Sequence, residues 1–469
     1  MAATLGAGLP ALAAAAPGRA ALICDGEVVT REALAARVGG LAAHLAARTR
    51  PGAGIALAMG NAPQLVEAFF ACAVSGRQAL VYDPSWPAPY RAAIDAALAP
   101  ALTLDEAPDA AAAPFPPPPA PEAPFYVGFT SGSTGLPKGY RRAHRSWIDS
   151  FKVSEEAFGL GEQDVVLAPG GLAASLHLYG VVHALHIGAT AVMLRQFHPR
   201  RALRLIARQG VTALYATPTQ LQMLVDAGAG ESFPTVRLIM ISGAKWRAQT
   251  RAAVEALFPQ AGLAEFYGAS ETSFITLARP REAVPPGSVG RAAPGVALRI
   301  RDASGRDLPA GEAGTIWVAS AMLFDGYACG HAPETRREAG FLTIGDHGRL
   351  DADGFLYLHG REKRMLVTSG LNVYPEEVES VLAGLPGIEE AAVFGLPDLL
   401  RGVELVAVLR GRFDEPALRA ACRALLPAAK IPRRFLALAE WPRTSGGKAD
   451  LRALEAFAAE RLRTGGQAR

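Results

Sequence analysis

Lysine is scarce in this 469-residue chain: six, at positions 138, 152, 245, 363, 430 and 448, stand against forty-one arginines. Where arginine serves nearly everywhere, a retained lysine points to a need for a compact ammonium rather than a planar fork. Cysteine is equally sparse. Cys24, Cys72, Cys329 and Cys422 lie far apart with no CxxC pair, which argues against a disulfide framework or a thiolate zinc site and predicts reduced packing residues of a cytoplasmic protein. There is no charge excess. A formal +3, with arginines scattered rather than clustered, excludes an obvious nucleic-acid surface.

The start, "MAATLGAGLPALAAAAPGRA", lacks the basic n-region and strong apolar core of a signal peptide, and reads as a first helix or an irregular start. No apolar run is long and clean enough for a bilayer. The longest, "GGLAASLHLYGVVHALHIGATAVML" (170–194), is interrupted by three histidines and several glycines, so a buried helix followed by a strand is expected. No Asp, Glu or Cys joins His177, His183 and His186 nearby. They are expected to line a core or a pocket rather than to bind metal.

Apolar residues make up 50% of the sequence, ample for buried cores, and the length predicts two or three domains. Strand and helix patterns alternate through "TREALAARVGGLAAHLAAR", "GIALAMGN", "APQLVEAFFACAVSG" and "QALVYD". That alternation predicts an α/β sandwich with mostly parallel sheets. A Pro/Ala-rich stretch, "APDAAAAPFPPPPAPEAP", reads as a surface connection. Alternation then resumes through "ATAVMLRQF" and "VRLIMISGA". From about Pro285 to Tyr327 short strands broken by Gly and Pro predict a small β-barrel or antiparallel subdomain. A compact α+β pattern follows "DADGFLYLHGRE", with a boundary expected in the charged turn Gly360–Lys363: a large domain 1–360 and a small one 361–469.

The stretch "FTSGSTGLPKGY" (129–140) offers close-approaching backbone N–H groups, hydroxyls and one ammonium, a composition suited to phosphate. It is not a Walker A loop, since Pro137 precedes Lys138 and Gly139 follows it, and "GAGIAL" lacks the third glycine of a dinucleotide fingerprint. A disordered linker is the alternative, but a linker gives no reason for a lysine at a defined place. Two further lysines sit in glycine- or charge-rich turns: Lys363 in "GREKRM" and Lys448 in "PRTSGGKADLRAL".

With "FYGASETS", "IGDHGRLDADGFLYLHGRE", "GREKRMLVTSGLNVYPEEVE" and "PRTSGGKADLR" following in order, the chain resembles the adenylate-forming acyl-CoA synthetases over nearly its whole length. The resemblance implies a large N-terminal α/β domain with a β-barrel subdomain and a small mobile C-terminal domain swinging about Lys363. It implies ATP, Mg²⁺ and CoA: a carboxylic acid attacks the α-phosphate to give acyl-AMP and pyrophosphate, and a thiol then takes the acyl group. Thr130, Ser131, Gly132, Ser133, Thr134, Gly135 and Lys138 would hold the β- and γ-phosphates in a loop mobile enough to release pyrophosphate.

Glu271 would hold Mg²⁺, Tyr267 would face adenine beside Gly268, and Ser270 stands where threonine is more usual. Asp346 and Arg361 would bind ribose. Lys448 is the expected catalytic cation, with Glu271 and Thr130 beside it in the catalytic set, and Ser369 and Gly370 would pass the pantetheine arm. The acyl pocket is expected around His177, Tyr215, Ser242, Gly243, Ala244, Lys245 and Trp246, with Gly243 and Ala244 also next to nucleotide. "APGGLAASLHLYG" departs from the usual Pro-apolar-Phe-His gate, leaving either His177 or Ala174 at the histidine position. Lys245 either pairs with the second carboxylate of a dicarboxylic acid or is an exposed helix-start lysine.

The expected substrate is a short- or medium-chain fatty acid or a similar small acid, in a soluble, cytoplasmic enzyme with no integral membrane association. An acyl carrier protein is the alternative acceptor to CoA. A noncatalytic nucleotide-binding protein is the alternative of another class. Monomer and homodimer stay open.

Overall fold

The computed structural model describes residues 3–130, 138–242, 248–368, 371–398, 402–426, 430–444 and 448–465. They form two compact units, Met1–Leu298 with Val318–Pro333 and Glu338–Leu342, and Arg299–Trp317 with Glu334–Arg337 and Thr343–Arg469.

The first unit is α/β, as its alternating pattern predicts. Thr190–Met193, Ala213–Ala216 and Leu238–Ile241 are buried at every position, the continuous apolar texture that a parallel strand covered on both faces requires. They run parallel in a sheet ordered Gly262–Ala269, Leu238–Ile241, Ala213–Ala216, Val165–Ala168, Thr190–Met193, Ala20–Cys24. Ser273–Ala278 adds to the first of these antiparallel, and Glu27–Thr30 to the last.

Helix Pro199–Gln209 begins on a proline and ends at Gly210 with φ 60°, and helix Pro218–Ala227 has a Thr217/Gln220 capping box, both ordinary terminus chemistry. Their Leu203, Ile206, Leu221 and Leu224 join Leu214 and Ile239 in one core, each burial contributing about 1.5–3 kcal/mol.

A second sheet places Leu102–Leu104, Gly54–Leu57, Gln78–Val81 and Pro124–Thr130 in parallel, then Lys138–Ala143 and Gly326–Cys329 antiparallel. The glycine-rich stretch thus follows the carboxyl end of a parallel strand, where open α/β sheets take their ligands.

The Pro/Ala-rich connection contains no helix, and no strand before Pro124, where Pro124–Thr130 begins, as expected, but it is not loose. It lies against helix Arg31–Arg48 so tightly that a Cβ on Gly39 or Gly40 would come within 2.1 Å of the Ala113 carbonyl oxygen or 2.5 Å of that of Ala111. Helix Ser175–His186 and strand Thr190–Met193 fill the long apolar run. Among the described residues no helix is long and apolar enough to cross a membrane. All four cysteines are buried and free.

The second unit holds the antiparallel hairpin Asp346–Leu350/Phe355–Arg361, a 3₁₀ turn Glu362–Arg364 and helix Pro375–Ala383. A three-stranded sheet follows: Ile388–Asp398 and Gly402–Gly411 antiparallel, with Arg434–Ala437 parallel to the latter. Alternation sorts its side chains. Val393, Leu405, Ala407 and Leu409 meet Val378, Leu382, Leu418 and Cys422 on one face, while Ala392, Phe394, Val406 and Val408 meet Leu454 and Ala458 on the other, the period-two consequence of the pleat.

Candidate functional site

Strand Pro124–Thr130 delivers Thr130 to the edge of the glycine-rich stretch, opposite Lys138 across the hairpin. The Thr130 Oγ1 is buried without a hydrogen-bond partner among the described residues, a hydroxyl available to a ligand oxygen. Ser131, Gly132, Ser133, Thr134 and Gly135 lie outside the described residues, as do Gly243, Ala244, Lys245, Trp246, Ser369 and Gly370.

Lys138 is half-buried, with its ammonium 5.2 Å from the centre of the Tyr327 ring, within cation–π range. The Tyr327 hydroxyl donates to Glu271 Oε1 at 2.8 Å. Glu271 is only 7% exposed, and this is the one hydrogen bond its carboxylate makes among the described residues. One tyrosine therefore fastens both the ammonium and the carboxylate.

Glu271 sits in the turn between strands Gly262–Ala269 and Ser273–Ala278, where the register shifts between Tyr267 and Gly268. A Cβ at Gly268 would stand 1.8 Å from the Ser273 carbonyl oxygen, so only glycine fits. Tyr267 is half-buried on the entering strand. Ser270 Oγ lies 3.1 Å from Ser175 Oγ, and the Glu271 carbonyl accepts from Phe324 N–H at 2.8 Å. A lone carboxylate is a poor site for a self-sufficient metal cage, and no cluster of three His, Cys, Asp or Glu suited to a metal occurs among the described residues. It suits Mg²⁺, which binds through one or two carboxylates plus substrate phosphates and water.

His177 is buried, with the Gln220 amide nitrogen 3.2 Å from its Nε2 and no partner at Nδ1 among the described residues. Burial lowers its pKa to about 4, so the ring is neutral. Tyr215 is fully buried, its hydroxyl 3.4 Å from His183 Nδ1. His177 and His183 are thus both buried, neutral rings.

In the second unit, Asp346 is 5% exposed and faces Arg361 across the hairpin. Arg361 Nε donates to Asp346 Oδ1 at 3.0 Å, so these two residues meet directly. Next to them, His347 Nδ1 lies 2.7 Å from the Tyr374 hydroxyl and its Nε2 3.1 Å from Thr315 Oγ1. Lys363 is 4.0 Å from Glu334, and Arg364 ties the turn to helix Pro375–Ala383 through Glu376 at 3.1 Å and Glu379 at 2.6 Å.

Lys448 is exposed by surface area, yet its pKa is lowered, first by protein crowding around the ammonium and then by the charge of Arg361. The Arg361 guanidinium is thus close enough for its charge to act on the Lys448 ammonium.

Three residues escape sequence reasoning. Tyr327 stands alone in "FDGYACG", Gln220 serves as a helix-capping residue, and Arg142 in "GYRRAH" is indistinguishable from forty other arginines.

Residues 9–104 and 88–328 match the AMP-binding enzyme family, and residues 377–448 match the AMP-binding enzyme C-terminal domain. An uncharacterized acyl-CoA ligase of Bacillus subtilis, YhfT, is 42% identical over 330 residues, covering 70% of this chain and 67% of that protein. The sulfoacetate-CoA ligase of Cupriavidus necator is 35% identical over 352 residues, 72% of this chain and 68% of that one. Among solved structures, the o-succinylbenzoate coenzyme A synthetase MenE of Bacillus subtilis, in complex with ATP and magnesium ion, superimposes with a TM-score of 0.85 at 27% identity, covering 95% of this chain and 98% of that chain.

Proposed function

This chain belongs to the AMP-binding enzymes, the adenylate-forming family of acyl-CoA synthetases, and we propose that it activates a small carboxylic acid, a short- or medium-chain fatty acid or similar, as its CoA thioester. In the first step an acid oxygen bonds to the α-phosphorus of ATP as the bond to the β-phosphate breaks, releasing pyrophosphate. In the second the thiol sulfur attacks the acyl carbon and AMP departs.

The observation that carries the reading is the Glu271–Tyr327–Lys138 constellation beside the end of the phosphate-loop strand. Lys138 supplies positive charge to the departing pyrophosphate, and Thr130 with the hydroxyls of Ser131, Ser133 and Thr134 bonds its oxygens. Glu271 would hold Mg²⁺, which when bound offsets phosphate charge. Tyr267 with Gly268 and Ser270 forms the adenine side, Asp346 and Arg361 take the ribose hydroxyls, and Lys448 neutralises charge on the entering carboxylate and α-phosphate. The large and small domains, 1–360 and 361–469, hinge at Lys363, with Ser369 and Gly370 admitting the thiol arm. Neutral His177 and buried Tyr215 support an acyl pocket for an uncharged tail.

Pyrophosphate release from Mg·ATP across aliphatic, aromatic and dicarboxylic acids, with and without CoA, tests this. Release that one acid raises and CoA renders multiple-turnover is expected. A single equivalent despite CoA makes a carrier protein the acceptor, and no release with any acid overturns the reading.

A further inference from the structure

Arg142 lies four residues beyond Lys138 on the same strand and is 2% exposed. Every guanidinium nitrogen is engaged. Nε donates to Ser146 Oγ at 3.1 Å, Nη1 to the Ser270 carbonyl at 2.8 Å, and Nη2 to Ser273 Oγ at 2.6 Å, the Met322 carbonyl at 2.9 Å and the Ser146 carbonyl at 3.4 Å. All these acceptors are neutral. Burial lowers the pKa to about 10, which still leaves the group charged at neutral pH. Asp325 attracts this cation through space, yet enclosing it among neutral hydrogen-bond acceptors is still costly, and the geometry it enforces accounts for it.

Three of those acceptors surround Glu271. Ser270 precedes it, Ser273 follows by two, and Met322 opens the segment whose Phe324 N–H meets the Glu271 carbonyl. The turn they brace is strained: Ser273 has φ 56°, the left-handed region that a side chain disfavours, and Gly268 is pressed against its carbonyl. Such backbone persists only where its surroundings over-determine it.

We infer that Arg142 is a positioning residue for magnesium–nucleotide binding: it locks the turn 268–273 so that Glu271, fastened by Tyr327, presents its carboxylate to the metal. A planar fork reaches a carbonyl, a hydroxyl and a second carbonyl at once, which an ammonium cannot reproduce. The inference rests on the assignment of Glu271 under Proposed function.

The test measures ATP affinity by calorimetry, with and without Mg²⁺, for the full chain and for Arg142→Lys, Ser273→Ala and Glu271→Gln. Arg142→Lys is expected to weaken Mg·ATP about tenfold while metal-free ATP binds within about twofold of the parent. Ser273→Ala, which loses one brace and keeps the fold, is expected to shift Mg·ATP affinity about threefold in the same direction. Parent-like Mg²⁺ dependence in both variants, with Glu271→Gln impaired, overturns the inference alone. Parent-like Mg²⁺ dependence in Glu271→Gln overturns the metal assignment beneath it. Should Arg142→Lys fail to fold, Ser273→Ala decides.

Discussion

Acid should destabilise the first unit through three buried histidines. His144 Nδ1 accepts from Leu5 N–H at 3.2 Å, His177 Nε2 is met by Gln220 and His183 Nδ1 by Tyr215, while the other nitrogen of each ring is buried with no partner among the described residues. Burial lowers the pKa of His144 and His177 to about 4, and burial followed by repulsion from His186 lowers that of His183 to about 3.

An unfolded histidine titrates near 6.5, so between roughly pH 6.5 and 4 the unfolded chain binds protons that the folded one refuses, and stability falls as pH drops through that window. Each group contributes about 1.4 kcal/mol per pH unit there, about 2 kcal/mol by pH 5 and about 6 kcal/mol for the three, a large part of a total stability of about 5–15 kcal/mol.

Urea unfolding followed by fluorescence at about pH 7 and about pH 5 measures the loss. Glu67, Glu155 and Glu265, whose pKa values burial raises against the pull of neighbouring cations, act in the opposite sense, and the variant His144→Gln separates the terms. Its amide cannot titrate, so it should recover about 2 kcal/mol of the acid loss. An acid loss identical in parent and variant would refute the reasoning.

Tyr327→Phe keeps the ring beneath Lys138 but strips Glu271 of its donor. A charge-assisted bond of about 1.5–3 kcal/mol predicts a roughly 10- to 100-fold slower pyrophosphate release with little change in thermal midpoint. Lys448→Ala should abolish acyl-adenylate formation, read as loss of pyrophosphate release, while ATP affinity by calorimetry stays within about threefold of the parent. Gly40→Leu drives a side chain into the Ala111 carbonyl and should cost about 2–4 kcal/mol of stability, measured as a shift in the urea midpoint.

Much of this is legible in the sequence, and the reasons differ by element. Thr190–Met193 and Leu238–Ile241 announce themselves because a strand covered on both faces must be apolar throughout. Ile388–Asp398, Gly402–Gly411 and the helices Pro375–Ala383 and Glu415–Leu425 make up the compact α+β pattern that follows "DADGFLYLHGRE". Glu271, Asp346 and Lys448 stand out in the sequence because each sits in a contiguous motif. Tyr327 and Arg142 act on Glu271 from 56 and 128 or more residues away, and no local pattern encodes a partner that only folding supplies. The docked Pro/Ala connection was hidden likewise: two helix-interior glycines look like a weakness until the chain that lies on them is known.

The three-stranded sheet 388–411 with 434–437 has one more implication. Both apolar clusters flanking it draw every member from residues 366–462, so this stretch satisfies its hydrophobic needs among its own described residues. Recombination at its edges would exchange the stretch between homologous genes without leaving either cluster half-filled, and a lineage could retune the last hundred residues while the remainder of the gene drifted on its own clock.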